Sequence, residues 1–186
     1  MTFRAERGED LWLCEQGLIE KSGTYVDCGC SDPYEGSNTA FLRDLGWKGL
    51  CIDAQDYMEA WKATNATFEQ MVVSEKRDVK FMLGYGALAR IHEWGQAVVA
   101  APLEDILVRH NIGKIDFMNL DLEGGEFDAW NTMEFELHRP TIVIAEYLTM
   151  NLDRQAATAD YRMKELLPTL GYQIIHDSGN NLIFKL

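Results

Sequence analysis

Four acids each close a short run of β-forming apolar residues. Tyr25-Val26 leads into Asp27, Leu50-Cys51-Ile52 into Asp53, Phe117-Met118-Asn119-Leu120 into Asp121, and Ile142-Val143-Ile144-Ala145 into Glu146. A further run, residues 68–74, ends at Ser74. One acid at a strand end is ordinary, because it is solvated there or caps the next helix. Several converging on one sheet edge point instead to a site, since open α/β sheets bind ligands outside the carboxyl ends of their strands.

The residue types narrow the ligand. A dinucleotide site needs G-x-G-x-x-G so that backbone can approach a pyrophosphate. Here only Gly29 stands, followed by Cys30, Ser31, Asp32 and Pro33, and acids beside a pyrophosphate would repel it. A nucleoside that lacks phosphates and carries a positive charge fits better. S-adenosylmethionine is such a ligand, with adenosine, a sulfonium and an α-amino acid. Gly29 would let backbone approach it closely. Asp53 is placed to accept both ribose hydroxyls. Asp27 and Asp121 would face the ammonium or the sulfonium.

Elements that position these residues follow from the pattern. Residues 8–21 read as a helix that packs on the domain, and 23–28 as a strand. Ser37-Asn38-Thr39 reads as an N-cap, with a helix ending at Gly46. Strands follow at 47–53 and 68–74, with a small one at 79–83 and a short helix at 56–62. Pro102 opens a helix to 110. Strands at 115–121 and 141–146 flank a helix from about Glu126. A helix over 154–170 ends at Gly171. Residues 172–176 and 182–186 form a hairpin across 177–181. Strands alternating with crossover helices predict a parallel sheet covered on both faces. The expected architecture is one α/β domain over 1–186.

Composition supports a globular chain: 186 residues, 47% hydrophobic and 25% charged. The net charge of −13 disfavours phosphate backbones and anionic lipid, so neither nucleic acid nor a membrane surface is an expected partner. No run approaches the roughly 20 apolar residues of a membrane span. The first residues carry charge with no apolar run behind them, so no secretory signal is expected and the expected location is the cytoplasm. Cys14, Cys28, Cys30 and Cys51 lack the spacing of a zinc site or a C-x-x-C motif and are expected as reduced thiols.

Three blocks then carry a family resemblance. They are Gly23-Thr24-Tyr25-Val26-Asp27-Cys28-Gly29 with Gly36-Ser37-Asn38-Thr39, the stretch from Leu45 to Asp53, and Pro102-Leu103-Glu104-Asp105-Ile106-Leu107 with Ile115-Asp116-Phe117 and Asp121-Leu122-Glu123-Gly124-Gly125-Glu126. The chain resembles the FkbM family of S-adenosylmethionine-dependent methyltransferases from about Glu9 to its C-terminus. The resemblance implies a Rossmann-like seven-stranded sheet, mostly parallel, with an antiparallel strand in the C-terminal hairpin. It implies O-methylation of a hydroxyl on a sugar, glycan or small metabolite. Cofactor contacts are expected from Asp27, Gly29, Ser37, Asn38, Asp53, Ser74 and Asp121. Pro33 stands where the family usually has a second glycine, and Asp53 where Glu is more usual.

A hydroxyl is a weak nucleophile near neutral pH, so a base or a metal is expected to assist. Asp121, Glu146 and His92 are the candidate catalytic groups. Asp121, Glu123 and Glu146 are oxygen ligands suited to Mg²⁺. The plainer reading of Glu123 and Glu126 is that they favour the start of the next helix. Residues 84–96 mix Gly84, Gly86 and Gly95 with Tyr85, His92 and Trp94, and read as a mobile lid over the acceptor. With little chain left for acceptor recognition, that task falls to loops or to a second subunit in a homodimer. The alternatives are an inactive cofactor-binding or partner-binding module and a nucleic-acid methyltransferase, the latter opposed by the charge.

Overall fold

A computed structural model describes residues 2–84, 89–151 and 156–186. In chain order the elements are α1 (Glu9–Glu15), β1 (Thr24–Cys28), α2 (Ala40–Asp44), β2 (Lys48–Asp53), α3 (Met58–Trp61), β3 (Thr67–Gln70), β4 (Val72–Val73), β5 (Asp78–Phe81) and β6 (Gln96–Ala101). Then follow α4 (Leu103–Arg109), β7 (Phe117–Leu120), α5 (Glu126–Trp130), α6 (Phe135–His138), β8 (Ile142–Glu146), β9 (Leu148–Asn151), β10 (Ala156–Ala159), α7 (Arg162–Thr169), β11 (Gln173–Asp177) and β12 (Asn181–Lys185).

The main sheet has seven strands in the order β11-β12-β8-β7-β1-β2-β3. The pairs β3–β2, β2–β1, β1–β7 and β7–β8 are all parallel, whereas β12 runs antiparallel to both β8 and β11. This is the seven-stranded arrangement with an antiparallel terminal strand that the resemblance implies. The strand order reverses direction between β1 and β7, which makes their carboxyl ends the topological switch point.

Period-two alternation divides the core between the two faces of the sheet. Val26, Leu50, Ile52, Met118, Val143 and Phe184 face α4, α5 and α7, where Leu103, Ile106, Trp130 and Leu167 cover them. Tyr25, Cys51, Phe117, Ile144 and Ile183 face the other way, onto Leu13 of α1, Phe41 and Leu42 of α2 and Trp61 of α3. Gly49 leaves room for Tyr25, since a Cβ there would lie 2.2 Å from the tyrosine ring. No disulfide joins the cysteines, and Cys28, Cys30 and Cys51 are buried.

Four expectations need correction. The helix expected over 8–21 is two turns long and stops at Gly17, whose φ of 64° lets Leu18 N–H reach back to the Leu13 carbonyl. The run 68–74 is not one strand: β3 pairs with β2, while β4 leaves the main sheet to pair with β6. Residues 96–101 had no expected strand, yet β6 binds both β4 and β5 there. The helix expected from 154 begins at Arg162, because 156–159 pairs with 148–151 as a hairpin. In each of the last three cases tertiary pairing overrode local pattern. Among the described residues, no helix is long and apolar enough to cross a membrane.

Candidate active site

A cavity of about 700 Å³ opens at the carboxyl edge of the main sheet, within the usual size for small-molecule sites. Among its lining residues are Asp27, Gly29, Ser37, Asn38, Asp53, Ser74, Asp121, Glu123 and Glu146. The strand-end acids spaced along the sequence thus meet in one place. His92 is not among the lining residues; its ring stands edge-on to Trp94, centroids 4.9 Å apart. Trp94 is 71% exposed. Tyr85 and Gly86 of the expected lid lie outside the described residues.

At the switch point, Gly29 has φ +84°, and a Cβ built on it would sit 1.7 Å from the Asp121 carbonyl oxygen. The glycine is therefore required by the neighbouring strand end, whatever ligand lies above it. Its N–H donates to the Ile52 carbonyl at 2.8 Å and Asp121 N–H donates to the Cys28 carbonyl at 2.9 Å, which ties β2, β1 and β7 together at their ends.

Asp27 is buried and held on both oxygens. Thr39 Oγ1 donates to Oδ2 at 2.5 Å, and Asn119 Nδ2 donates to Oδ1 at 2.9 Å. Asn38 Nδ2 in turn donates to Asn119 Oδ1 at 3.1 Å. Burial lifts the Asp27 carboxyl to about 6, while the bonds from Thr39 and Asn119 hold it down. Asp27 and Asn38 therefore form a floor network as well as lining the cavity. Ser37 Oγ accepts from the N–H groups of Thr39 and Ala40 and caps the start of α2.

Asp53 projects from the end of β2. Its Oδ2 accepts Ser31 N–H at 2.9 Å and its Oδ1 accepts Gln55 N–H at 2.8 Å. Each oxygen is thereby oriented and retains acceptor capacity beyond its backbone donor. Burial raises this carboxyl, and the backbone donors oppose the rise. The loop around Pro33 turns away from the cavity. Asp32 Oδ1 caps Tyr34 and Glu35, and the Pro33 carbonyl accepts Arg43 Nη2 at 2.7 Å.

The opposite wall is a cluster of acids. One carboxylate oxygen from each of Asp121, Glu123 and Glu146 lies within 4.8 Å of the others. Burial, then the charges of Asp121, Glu123 and Glu126, pushes Glu146 up to about 10. Asp121 is raised by burial and by Glu126 and Glu123. Among the described residues, Glu146 Oε2 is buried beside Asp121 without a hydrogen-bond partner. Like charges this close share a proton and titrate as a pair. The set is all-oxygen, the chemistry of a hard divalent cation, and equally that of an organic cation.

Glu126 opens α5, as the plainer reading expects, and also organises the loop before it. It is buried, and its Oε1 accepts Leu122 N–H at 2.7 Å and Gly124 N–H at 3.2 Å. It shapes the loop that holds Glu123 at a φ of 53°, a left-handed position that a non-glycine residue rarely takes. Four cavity contributors escaped the sequence reading. They are Glu6 and Arg7 of the N-terminal segment, and Asn180 and Asn181 at the β11–β12 turn. No local signal marked them, since only chain folding brings 6, 36 and 180 together.

Comparison with known proteins agrees with the resemblance read from the sequence. Residues 93–174 match the family model described as the methyltransferase FkbM domain. That stretch contains β7, the acidic loop 121–126 and Glu146. No curated protein matches the chain. Among solved structures, a 1,6-didemethyltoxoflavin-N1-methyltransferase of Burkholderia thailandensis, with bound 1,6-didemethyltoxoflavin and S-adenosylhomocysteine, is 10% identical with a TM-score of 0.49, over 97% of this chain and 75% of that one.

Proposed function

With a methyltransferase FkbM domain matched over residues 93–174, we propose that this protein is an S-adenosylmethionine-dependent methyltransferase acting on a hydroxyl of a sugar, glycan or small metabolite. The observation that carries this reading is the division of one cavity between two kinds of acid. Asp53 presents two oriented oxygens at one end, and Asp121, Glu123 and Glu146 crowd together at the other. A nucleoside diol suits the first and a sulfonium suits the second.

Methyl transfer is an in-line displacement. The acceptor oxygen attacks the methyl carbon, the carbon–sulfur bond breaks, and its electron pair stays on sulfur. The acceptor's proton must leave as well. The Asp121–Glu146 pair is placed to take it: a cation bound beside the pair would favour its ionised form, with the proton it had shared released to solvent. Glu126 and the Asp27–Asn119 network contribute by fixing the loop and floor that aim these groups. The same three carboxylates suit Mg²⁺, so turnover is measured with added Mg²⁺ and again with EDTA. Trp94 and His92 belong to the acceptor side as a lid, and a homodimer in the cytoplasm completes the proposed setting.

The test is calorimetric titration with S-adenosylhomocysteine, followed by radiolabelled methyl transfer to a panel of hydroxylated acceptors. Saturable binding that Asp53→Ala weakens at least tenfold supports the site. Binding by Asp53→Ala equal to the parent removes the ribose assignment. Binding without turnover on any acceptor makes the protein a cofactor-binding module.

A further inference from the structure

Residues 4–9 form a strap along the cavity, with Glu6 and Arg7 in its lining. Ala5 makes a parallel bridge to Gly36, in the loop after β1. The Asp10 carboxylate accepts the N–H groups of Arg4 and Ala5. Glu9 Oε1 accepts Ser178 Oγ at 2.7 Å and Asn181 Nδ2 at 2.8 Å, and Oε2 accepts Arg7 N–H at 3.2 Å. Glu9 and Asp10 are both buried. Burying two carboxylates is costly unless hydrogen bonds compensate, and here nearly all of those bonds go to fastening the strap.

The strap brings Arg7 into the cavity lining. Its side chain makes one bond, from Nη2 to Asn180 Oδ1 at 3.3 Å, with a neutral amide. Among the described residues no carboxylate lies within ion-pair distance of it. A guanidinium is a planar fork that matches a carboxylate with two parallel hydrogen bonds. Most of this fork is unclaimed, and it stands in a cavity walled by acids.

We infer that Arg7 binds the carboxylate at the amino-acid end of the cofactor. The inference rests on the proposed reading of the cavity as a site for S-adenosylmethionine. If the ribose lies at Asp53, at the end of β2, the amino-acid end points past β1 and β7. Arg7 stands on that side, two residues past the Ala5–Gly36 bridge and bonded to Asn180. The acids at Asp121, Glu123 and Glu146 serve the sulfonium and the ammonium. They repel the carboxylate, which needs a cation of its own. Arg90, another lining residue, sits beyond Asp53, where its carbonyl accepts Met82 N–H next to β5.

The experiment compares two ligands that differ only at this end. S-adenosylhomocysteine has the amino acid; 5′-methylthioadenosine lacks it. Arg7→Ala is expected to lose roughly ten- to hundredfold affinity for S-adenosylhomocysteine, the size of a charge-assisted bond. It should keep its affinity for 5′-methylthioadenosine within about twofold. Arg7→Lys, which keeps the charge but not the fork, should fall between Arg7→Ala and the parent. Equal loss for both ligands, or loss for neither, overturns the inference. A parent protein that binds neither ligand overturns the proposed function itself, and the inference with it. Melting curves of both variants exclude misfolding, which would weaken both ligands alike.

Discussion

Gly29 and Asp121 meet so closely that the space for a Cβ on Gly29 is filled by the Asp121 carbonyl oxygen, 1.7 Å away. The contact locks β1 to β7 at the point where the strand order reverses. One residue pair thus sets both the packing of the central strands and the position of the acid that heads the loop 121–126.

Gly29→Ala is therefore expected to act on stability before it acts on binding. The substitution combines a backbone clash with a φ of +84° and should cost about 3 kcal/mol or more. For a chain of this size that lowers Tm by roughly 6–12 °C. Scanning calorimetry reads the shift, and an unchanged Tm would refute the packing role.

Asp27→Ala should cost about 2–4 kcal/mol in urea unfolding, because Thr39 Oγ1 and Asn119 Nδ2 lose their acceptors in a buried setting. Asp27→Asn should cost less than about 1 kcal/mol. With its carboxyl raised to about 6, the site tolerates a neutral side chain, and the Thr39 hydroxyl can turn to accept. Equal losses for the two variants would contradict this network.

Glu126 gives the protein a pH-dependent stability with a definite sign. Its folded value of about 7 lies above the ordinary 4.5, so the folded state holds the proton more tightly than the unfolded state. The stabilisation is complete below about pH 4.5 and is lost as pH rises through about 7; it amounts to about 3 kcal/mol. In Glu126→Gln the amide oxygen still accepts Leu122 and Gly124 N–H, but nothing titrates. The variant's urea-derived stability should accordingly fall less between about pH 5 and pH 8 than the parent's. Parallel pH profiles would rule the contribution out.

Asp121 and Glu146 should make the preference for the sulfonium pH-dependent. S-adenosylmethionine is charged at sulfur and S-adenosylhomocysteine is not, so their affinity ratio isolates the interaction with the pair. Both carboxyls are raised, chiefly by burial, and the pair loses its shared proton as pH rises. The ratio is expected to rise as pH climbs toward about 10, the value to which Glu146 is pushed. Asp121→Asn should flatten it. A ratio that does not change with pH would place the sulfonium elsewhere.

Much of this architecture was legible along the chain because it rests on local patterns. Apolar runs in 24–28, 48–53, 117–120 and 142–146 announced buried parallel strands, and acids closing those strands marked the binding edge. The glycine at 46 and the loop at 177–181 gave a helix end and a hairpin, each from turn chemistry. The blocks around Asp27, Asp53 and Asp121 carried the family resemblance. These features depend on near neighbours, and a sequence displays near neighbours directly.

What only the tertiary structure decided depends on segments far apart in the chain. Val72–Val73 left the main sheet because Ala100 and Ala101 offered a partner, a pairing across nearly thirty residues that no periodicity reveals. Gly29, which lines the cavity, is also required by the Asp121 carbonyl just past the end of β7. Asp27, expected as a ligand contact, lines the cavity and is also tied into its floor by Thr39 and Asn119. Arg7 read as a terminal charge and became a cavity residue, because buried Glu9 and Asp10 fasten its strap to residues near 36 and 180. Sequence carries the type and local spacing of each group. Whether an acid faces ligand, neighbour or backbone is decided by which distant donors fold against it, since a buried carboxylate takes whatever partners lower its desolvation cost.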